Sequence, residues 1–208
     1  MRILYIDTSS NYLYAGIVED DKCIAEIKEK FGQSLSEMTL PRIANLFEQA
    51  KLNPKEINKI IVVNGPGSFT GIRIGITIAK VYAWSLKIPI TTITSLEAMA
   101  ISSDSDCVHV PMIDARRGYV YTAIYDKNYQ ILLSPIHIKL TDLKNKLKKI
   151  EKFEVISNDC ISIEPFPQKY TPNIIKVVNF YKNKKDINPH FVNPEYLKLT
   201  EAEEKHDS

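Results

Sequence analysis

Apolar and polar positions alternate in short extended runs at the start of the chain and settle into helical periods further on. Residues 2–7 read as a strand that ends in the polar cluster Asp7-Thr8-Ser9-Ser10-Asn11. The extended pattern resumes from Tyr12 to Val18, turns at Glu19-Asp20-Asp21-Lys22 and continues from Cys23 to Lys30, which predicts an antiparallel meander. Ser34-Leu35-Ser36-Glu37 has the spacing of a capping box. Leu35, Met38, Ile43, Leu46, Phe47 and Ala50 form the apolar stripe of the helix it opens, with Pro41 as a kink or as the true first turn. A short helical turn at Pro54 precedes the β-branched run Lys59 to Val63, a buried strand. A long helix is expected from Gly71 to Leu86, a strand from Ile88 to Ile93 and a short helix from Ser95 to Ala100. The order is β-β-β-α-β-α-β-α, around a sheet of mixed direction.

The polar stretch Ser102-Ser103-Asp104-Ser105-Asp106 marks the expected boundary between a lobe at 1–103 and a smaller one at 104–208. Strands are predicted at 109–114, 119–125 and 131–139, a lysine-rich helix at 141–152 and a strand at 153–157. This repeats the opening β-β-β-α-β order, a duplication of topology rather than of sequence. After Pro165 the chain reads as irregular, ending in an acidic tail expected to fray.

Composition narrows the function. The 208 residues are 44% hydrophobic and 25% charged, with a formal net charge of +2, ordinary for a globular protein and no argument for nucleic-acid binding by charge alone. Cys23, Cys107 and Cys160 are scattered and fit a reducing compartment better than a disulfide framework or a zinc site. Asp7 arrives too early for a signal peptide and no apolar run is long enough for a membrane span, so a cytoplasmic location is expected.

Candidate chemistry gathers at Asn64-Gly65-Pro66-Gly67-Ser68-Phe69-Thr70-Gly71-Ile72-Arg73-Ile74-Gly75, a glycine-rich turn between a strand and a helix. It lacks the lysine of a phosphate-binding P-loop and the spacing of a dinucleotide fingerprint. Two readings stay open: a tight turn that needs glycine, or an anion or nucleotide site drawing on Asp7, Thr8, Gly67, Ser68, Thr70 and Arg73. Behind the turn, Gly75, Ala79 and Ala83 line one helix face, flanked by Ile72, Ile76 and Lys80, a small-residue seam suited to close helix packing. The opposite side, Ile74, Ile78, Val81 and Leu86, is expected to cover the sheet, and Trp84 to be a core residue or an interface anchor, with core the commoner role. The four histidines have no metal-ligand spacing and no catalytic motif appears, so neither metal nor catalytic residue is expected. Arg116 and Arg117 at a hairpin tip could meet phosphate or an acidic partner, although solvated turn residues are commoner.

Three stretches together resemble the TsaB family, the bacterial accessory subunits for threonylcarbamoyladenosine in tRNA: Ile6-Asp7-Thr8-Ser9, the run from Gly65 to Gly75, and Asp114-Ala115-Arg116-Arg117-Gly118-Tyr119-Val120-Tyr121. Ser36-Glu37 with Leu40-Pro41, and Val192-Asn193-Pro194-Glu195-Tyr196-Leu197, are similar to further patterns of that family. The resemblance implies two ribonuclease-H-like lobes of the actin-like ATPase superfamily, an α/β fold with the second lobe reduced. It implies a non-catalytic subunit that binds the related transferase TsaD, which moves threonylcarbamoyl onto the adenosine next to the anticodon. TsaD holds its metal with paired histidines on its first-lobe helix, and the corresponding stretch here, Gly32 to Met38, has no histidine. The ATPase TsaE joins the complex, so ATP or ADP is implied at the interface rather than as this chain's own cofactor. tRNA would be met only through the complex, and a homodimer through the same helices is expected in isolation, because an exposed small-residue seam seeks a partner. The partner contact is expected from Leu35, Met38, Arg42 and Ile43 of the first helix and Ile72, Gly75, Ile76, Ala79, Lys80 and Ala83 of the second. On that assignment, Ala79→Arg should abolish TsaD binding and spare the fold. The rival readings are an independent ATP-dependent kinase or hydrolase of the same fold and, last, a peptidase.

Overall fold

A computed structural model describes residues 1–31 and 34–198. The first sheet holds β1 (Arg2–Asp7), β2 (Tyr12–Glu19), β3 (Lys22–Lys30), β4 (Lys59–Val63) and β5 (Ile90–Ile93), in the order β3-β2-β1-β4-β5. The β1–β2–β3 meander is antiparallel, whereas β4 pairs parallel to β1 and β5. Strand β1 is buried on both faces, so period two sorts its side chains between two cores. Leu4 and Ile6 meet the helices α1 (Leu35–Ala50) and α2 (Phe69–Leu86), while Ile3 and Tyr5 meet α3 (Ser95–Ser102) and α5 (Ile174–Tyr181).

The second sheet holds β6 (Val108–Asp114), β7 (Tyr119–Tyr125), β8 (Ile131–Lys139) and β9 (Phe153–Ile156), in the order β8-β7-β6-β9. It repeats the β3-β2-β1-β4 part of the first sheet, and at the place of β5 Gln168 makes only a one-residue parallel bridge to Ile156 of β9. The chain is therefore the expected pair of ribonuclease-H-like lobes with the second reduced. Helix α4 (Leu140–Leu147) packs Leu143 and Leu147 on the outer face of this sheet. The inner face meets Leu96, Met99 and Ala100 of α3, which thereby touches both sheets.

Several local expectations change. Ser34 makes no side-chain cap, and Pro41 lies inside a single helix rather than at its start. The Gly32-Gln33 part of the first-helix pattern lies outside the described residues, as does the acidic tail beyond residue 198. Helix α4 stops at Leu147, short of the expected Lys152, and Ile150 beyond its end still packs on the same core. Helix α5 falls in the stretch read as irregular and inside the span assigned to the second lobe, yet it packs Val177, Val178 and Tyr181 beneath the first sheet. Its return is fastened by Lys59, a buried lysine on β4 whose Nζ donates to the carbonyls of Lys182 (3.1 Å) and Lys184 (3.0 Å) and pairs with Asp186 at 2.7 Å.

Candidate functional site

The glycine-rich turn brings α2 against the end of β1. A Cβ on Gly67 would overlap the Ser9 carbonyl oxygen, one on Gly71 the Thr8 carbonyl oxygen, and one on Gly75 the Thr8 hydroxyl, all inside any allowed contact distance. These glycines are there so that helix and strand backbones can touch. The polar groups of the turn go mainly to protein. Ser68 N donates to Ser9 O at 2.7 Å, Thr8 Oγ1 to Gly71 O at 2.7 Å, and Ser68 Oγ accepts from Gly71 N at 3.2 Å. The carbonyls of Gly65 and Pro66 accept from Ser95 N (2.8 Å) and Ser95 Oγ (2.5 Å) at the start of α3.

This arrangement speaks against the anion or nucleotide reading of Asp7 and Thr8. Both are buried, and Asp7 Oδ1 accepts from Ser9 N at 2.8 Å and Ser9 Oγ at 2.7 Å. Strand alternation sends the Asp7 carboxylate to the α3/α5 side, among Tyr5, Tyr14 and Tyr170, away from the turn. Burial pushes its carboxyl above the ordinary aspartate range and the Ser9 bonds only partly oppose this. Gly67 and Ser68 do face a cleft between the lobes, whereas Thr70 and Arg73 sit on the outer surface. The set expected to surround one anion is thus split among a buried pocket, a cleft wall and a helix exterior.

The raised Asp7 carboxyl carries a pH prediction. Its folded state binds the proton more tightly than the unfolded chain does, so this group's contribution is complete below the ordinary aspartate value. It is lost as pH rises through the folded value. Asn keeps an Oδ1 acceptor for both Ser9 donors and never ionises. Asp7→Asn should therefore be at least as stable as the wild type at neutral pH and should lack this component of the pH slope in urea titrations. A marked loss of stability at neutral pH would contradict this account of Asp7.

The partner-face assignment on α2 is reversed. Leu35, Ile43, Ile72, Gly75, Ile76, Ala79 and Ala83 are buried in the chain's own core, with Ala79 at 0% exposure. The small-residue seam lets α2 lie close on β1, β4 and α1, and Ala79→Arg would disrupt that core instead of a docking face. Met38 and Arg42 are partly exposed, Arg42 pairing with Glu29 at 3.2 Å. Lys80 donates to the carbonyls of His190 (3.3 Å) and Val192 (3.0 Å). The outward face instead carries Phe69 at 51%, Val81 at 58% and Trp84 at 65% exposure, with Ile74 and Ile78 partly covered between them. Leu40 of α1 is exposed too, and a shallow groove of about 490 Å³ runs between Ser36, Leu40, Phe69, Arg73 and Thr77. Apolar periodicity did not show which of the two apolar sides of α2 faces in. Glycine and alanine were the usable signal, because only they allow the closest approach to a sheet.

Residues 192–197 explain themselves through the same turn. Val192 is buried in the first core, Glu195 N donates to Asn64 O at 2.8 Å, and Tyr196 stacks on Phe69 with ring centres 5.4 Å apart. The Arg73 guanidinium lies 3.7 Å over the Phe69 ring and its Nε donates to Tyr196 Oη at 2.8 Å. This segment straps the start of α2 in place.

Between the lobes lies a cavity of about 350 Å³ lined by Ser9, Ser10, Gly67, Asp114, Arg116 and Tyr121. Asp114 takes the Arg116 amide at 2.9 Å, and its own amide donates to Asp159 Oδ2 at 2.8 Å. Among the described residues, no three His, Cys, Asp or Glu side chains are grouped to hold a metal, and no helix is long and apolar enough to cross a membrane.

The family model described as TsaD, tRNA N6-adenosine threonylcarbamoyltransferase, matches residues 27–184. A Bacillus subtilis protein named tRNA threonylcarbamoyladenosine biosynthesis protein TsaB is 32% identical over 99% of this chain and 97% of its own length. The protein of the same name from Buchnera aphidicola subsp. Schizaphis graminum is 31% identical over 76% of this chain and 78% of its own. Among solved structures, YeaZ from Pseudomonas aeruginosa superposes with a TM-score of 0.76 over 94% of this chain and all of that one, at 17% identity, a likeness of fold.

Proposed function

Because the chain belongs to the TsaB family, we propose that it is the non-catalytic subunit of tRNA threonylcarbamoyladenosine synthesis, docking on TsaD and holding it in its active conformation. The observation that carries this reading is the outward face of α2. A helix whose other side is already committed to the core still presents Phe69, Val81 and Trp84 to solvent. A row of large apolar side chains on a regular helix suits a partner surface, and aromatic anchors dominate such contacts. In isolation the same face pairs two copies of this chain. TsaE completes the assembly, ATP or ADP lies at the interface of the complex, and the chain needs no cofactor of its own. The complex works in the cytoplasm.

Reconstitution tests this function. TsaD, TsaE, the threonylcarbamoyl adenylate and unmodified tRNA are combined with and without this chain. Modified adenosine should accumulate only with it, and the chain alone should not turn over Mg-ATP. Equal modification in its absence, or hydrolysis by the chain alone, would refute the accessory role.

A further inference from the structure

The inner face of the second sheet continues past α3, and among the described residues one end of it is only partly covered. Helix α3 covers Ala123 and Tyr125 of β7, but Tyr119 and Tyr121, on the same face by strand alternation, extend beyond it. Opposite them on β8 stand Lys139 and His137, in register with Tyr119 and Tyr121. The His137 ring stacks on Tyr119 with centres 4.7 Å apart and planes 16° from parallel, and lies 5.2 Å from Tyr121. All three rings are partly exposed. Lys139 Nζ sits 5.9 Å over the Tyr119 ring, and the exposed Arg116 and Arg117 occupy the hairpin tip that leads into β7. Arg116 pairs with Asp114 at 3.7 Å, whereas Arg117 and Lys139 make no ion pair among the described residues. Tyr121 and Arg116 also line the inter-lobe cavity.

We propose that this ledge of Tyr119, His137 and Tyr121, flanked by Arg117 and Lys139, binds unpaired nucleotides of RNA by stacking bases on the rings and pairing phosphates with the two cations. Partly exposed aromatic side chains on an open sheet face, with cations at the rim, supply both parts of single-strand recognition. The net charge of +2 does not argue against it, because a short single strand meets local cations rather than the charge of the whole chain. The cavity beside Tyr121 can receive one splayed base, with Asp114 and Asn158 on its wall as hydrogen-bonding groups. The proposal rests on the tRNA reading above and replaces a purely indirect encounter with tRNA by direct contact from the second lobe.

The test measures fluorescence anisotropy of a labelled oligoadenylate against the full chain, alone and as its TsaD complex. Tyr119→Ala with His137→Ala should weaken single-strand binding about tenfold or more, Tyr119→Phe should keep it, and a duplex of the same length should bind more weakly than the single strand. Lys139→Glu, at an exposed position, should reduce the salt dependence by about one phosphate contact. Unchanged affinity in the double variant, equal affinity for duplex, or displacement of the oligonucleotide by Mg-ATP at equal concentration would overturn the ledge. Co-elution of each variant with TsaD is read separately, so a failure of the ledge is distinguished from a failure of the accessory role.

Discussion

Replacing Gly71 with alanine should destabilise the protein by at least about 3 kcal/mol, beyond the usual cost of one added methyl in a core. On an open helix this change would stabilise by about 1 kcal/mol, because alanine is the better helix former. Here the new Cβ would meet the Thr8 carbonyl oxygen, a backbone atom that cannot rotate away. Relief would require α2 to move off β1, which would break the Thr8 hydroxyl bond to Gly71 O and loosen Ile72 and Ile76 in the core. The same movement would strain the 192–197 strap, since Arg73 and Phe69 at the start of α2 hold Tyr196. Ser68→Ala, which removes only the cap to Gly71 N, should cost about 1 kcal/mol and serves as the local comparison. Thermal or urea unfolding of the two variants checks both figures. A Gly71→Ala protein as stable as the wild type would mean that the turn is not a contact between backbones.

Much of the fold was legible because its signals are local. An apolar run ending in a polar turn gave β1, a β-branched run gave β4, period two gave β7, and the repeated β-β-β-α-β order matches the order of the two sheets. Helix α5 was obscured by the Pro-, Asn- and Lys-rich composition around it, although Asn173 as a cap and Ile174, Val177, Val178 and Tyr181 at helical spacing were available. The capping box at Ser34 failed for the opposite reason, since a matching spacing does not oblige a side chain to turn back. At the glycine turn, strand–turn–helix order is shared by anion sites and by plain backbone contacts. Only the positions of Ser9 and Thr8, distant in sequence, separate the two. The orientation of α2 was illegible for a similar reason. Both of its sides are apolar, and what decides between them is how closely the backbone approaches the sheet, a tertiary fact.

On the proposed function, α2 meets TsaD with Phe69, Val81 and Trp84. Charged replacements at Val81 and Trp84 alter exposed side chains, so they should leave the core intact while placing carboxylates against an apolar surface. Truncating one aromatic anchor of an interface commonly costs about 2–4 kcal/mol, and burying an unpaired charge adds to that. Val81→Glu with Trp84→Glu should therefore weaken association with TsaD by about a hundredfold or more. Ala79→Arg, inside the core, should show its defect first as lost folding. The decisive measurement is a calorimetric titration of TsaD with the folded Val81→Glu/Trp84→Glu protein, its circular dichroism matched to that of the wild type. The variant's affinity for TsaD should be lower than that of the wild-type chain by about a hundredfold or more. Wild-type affinity in that variant would contradict the account.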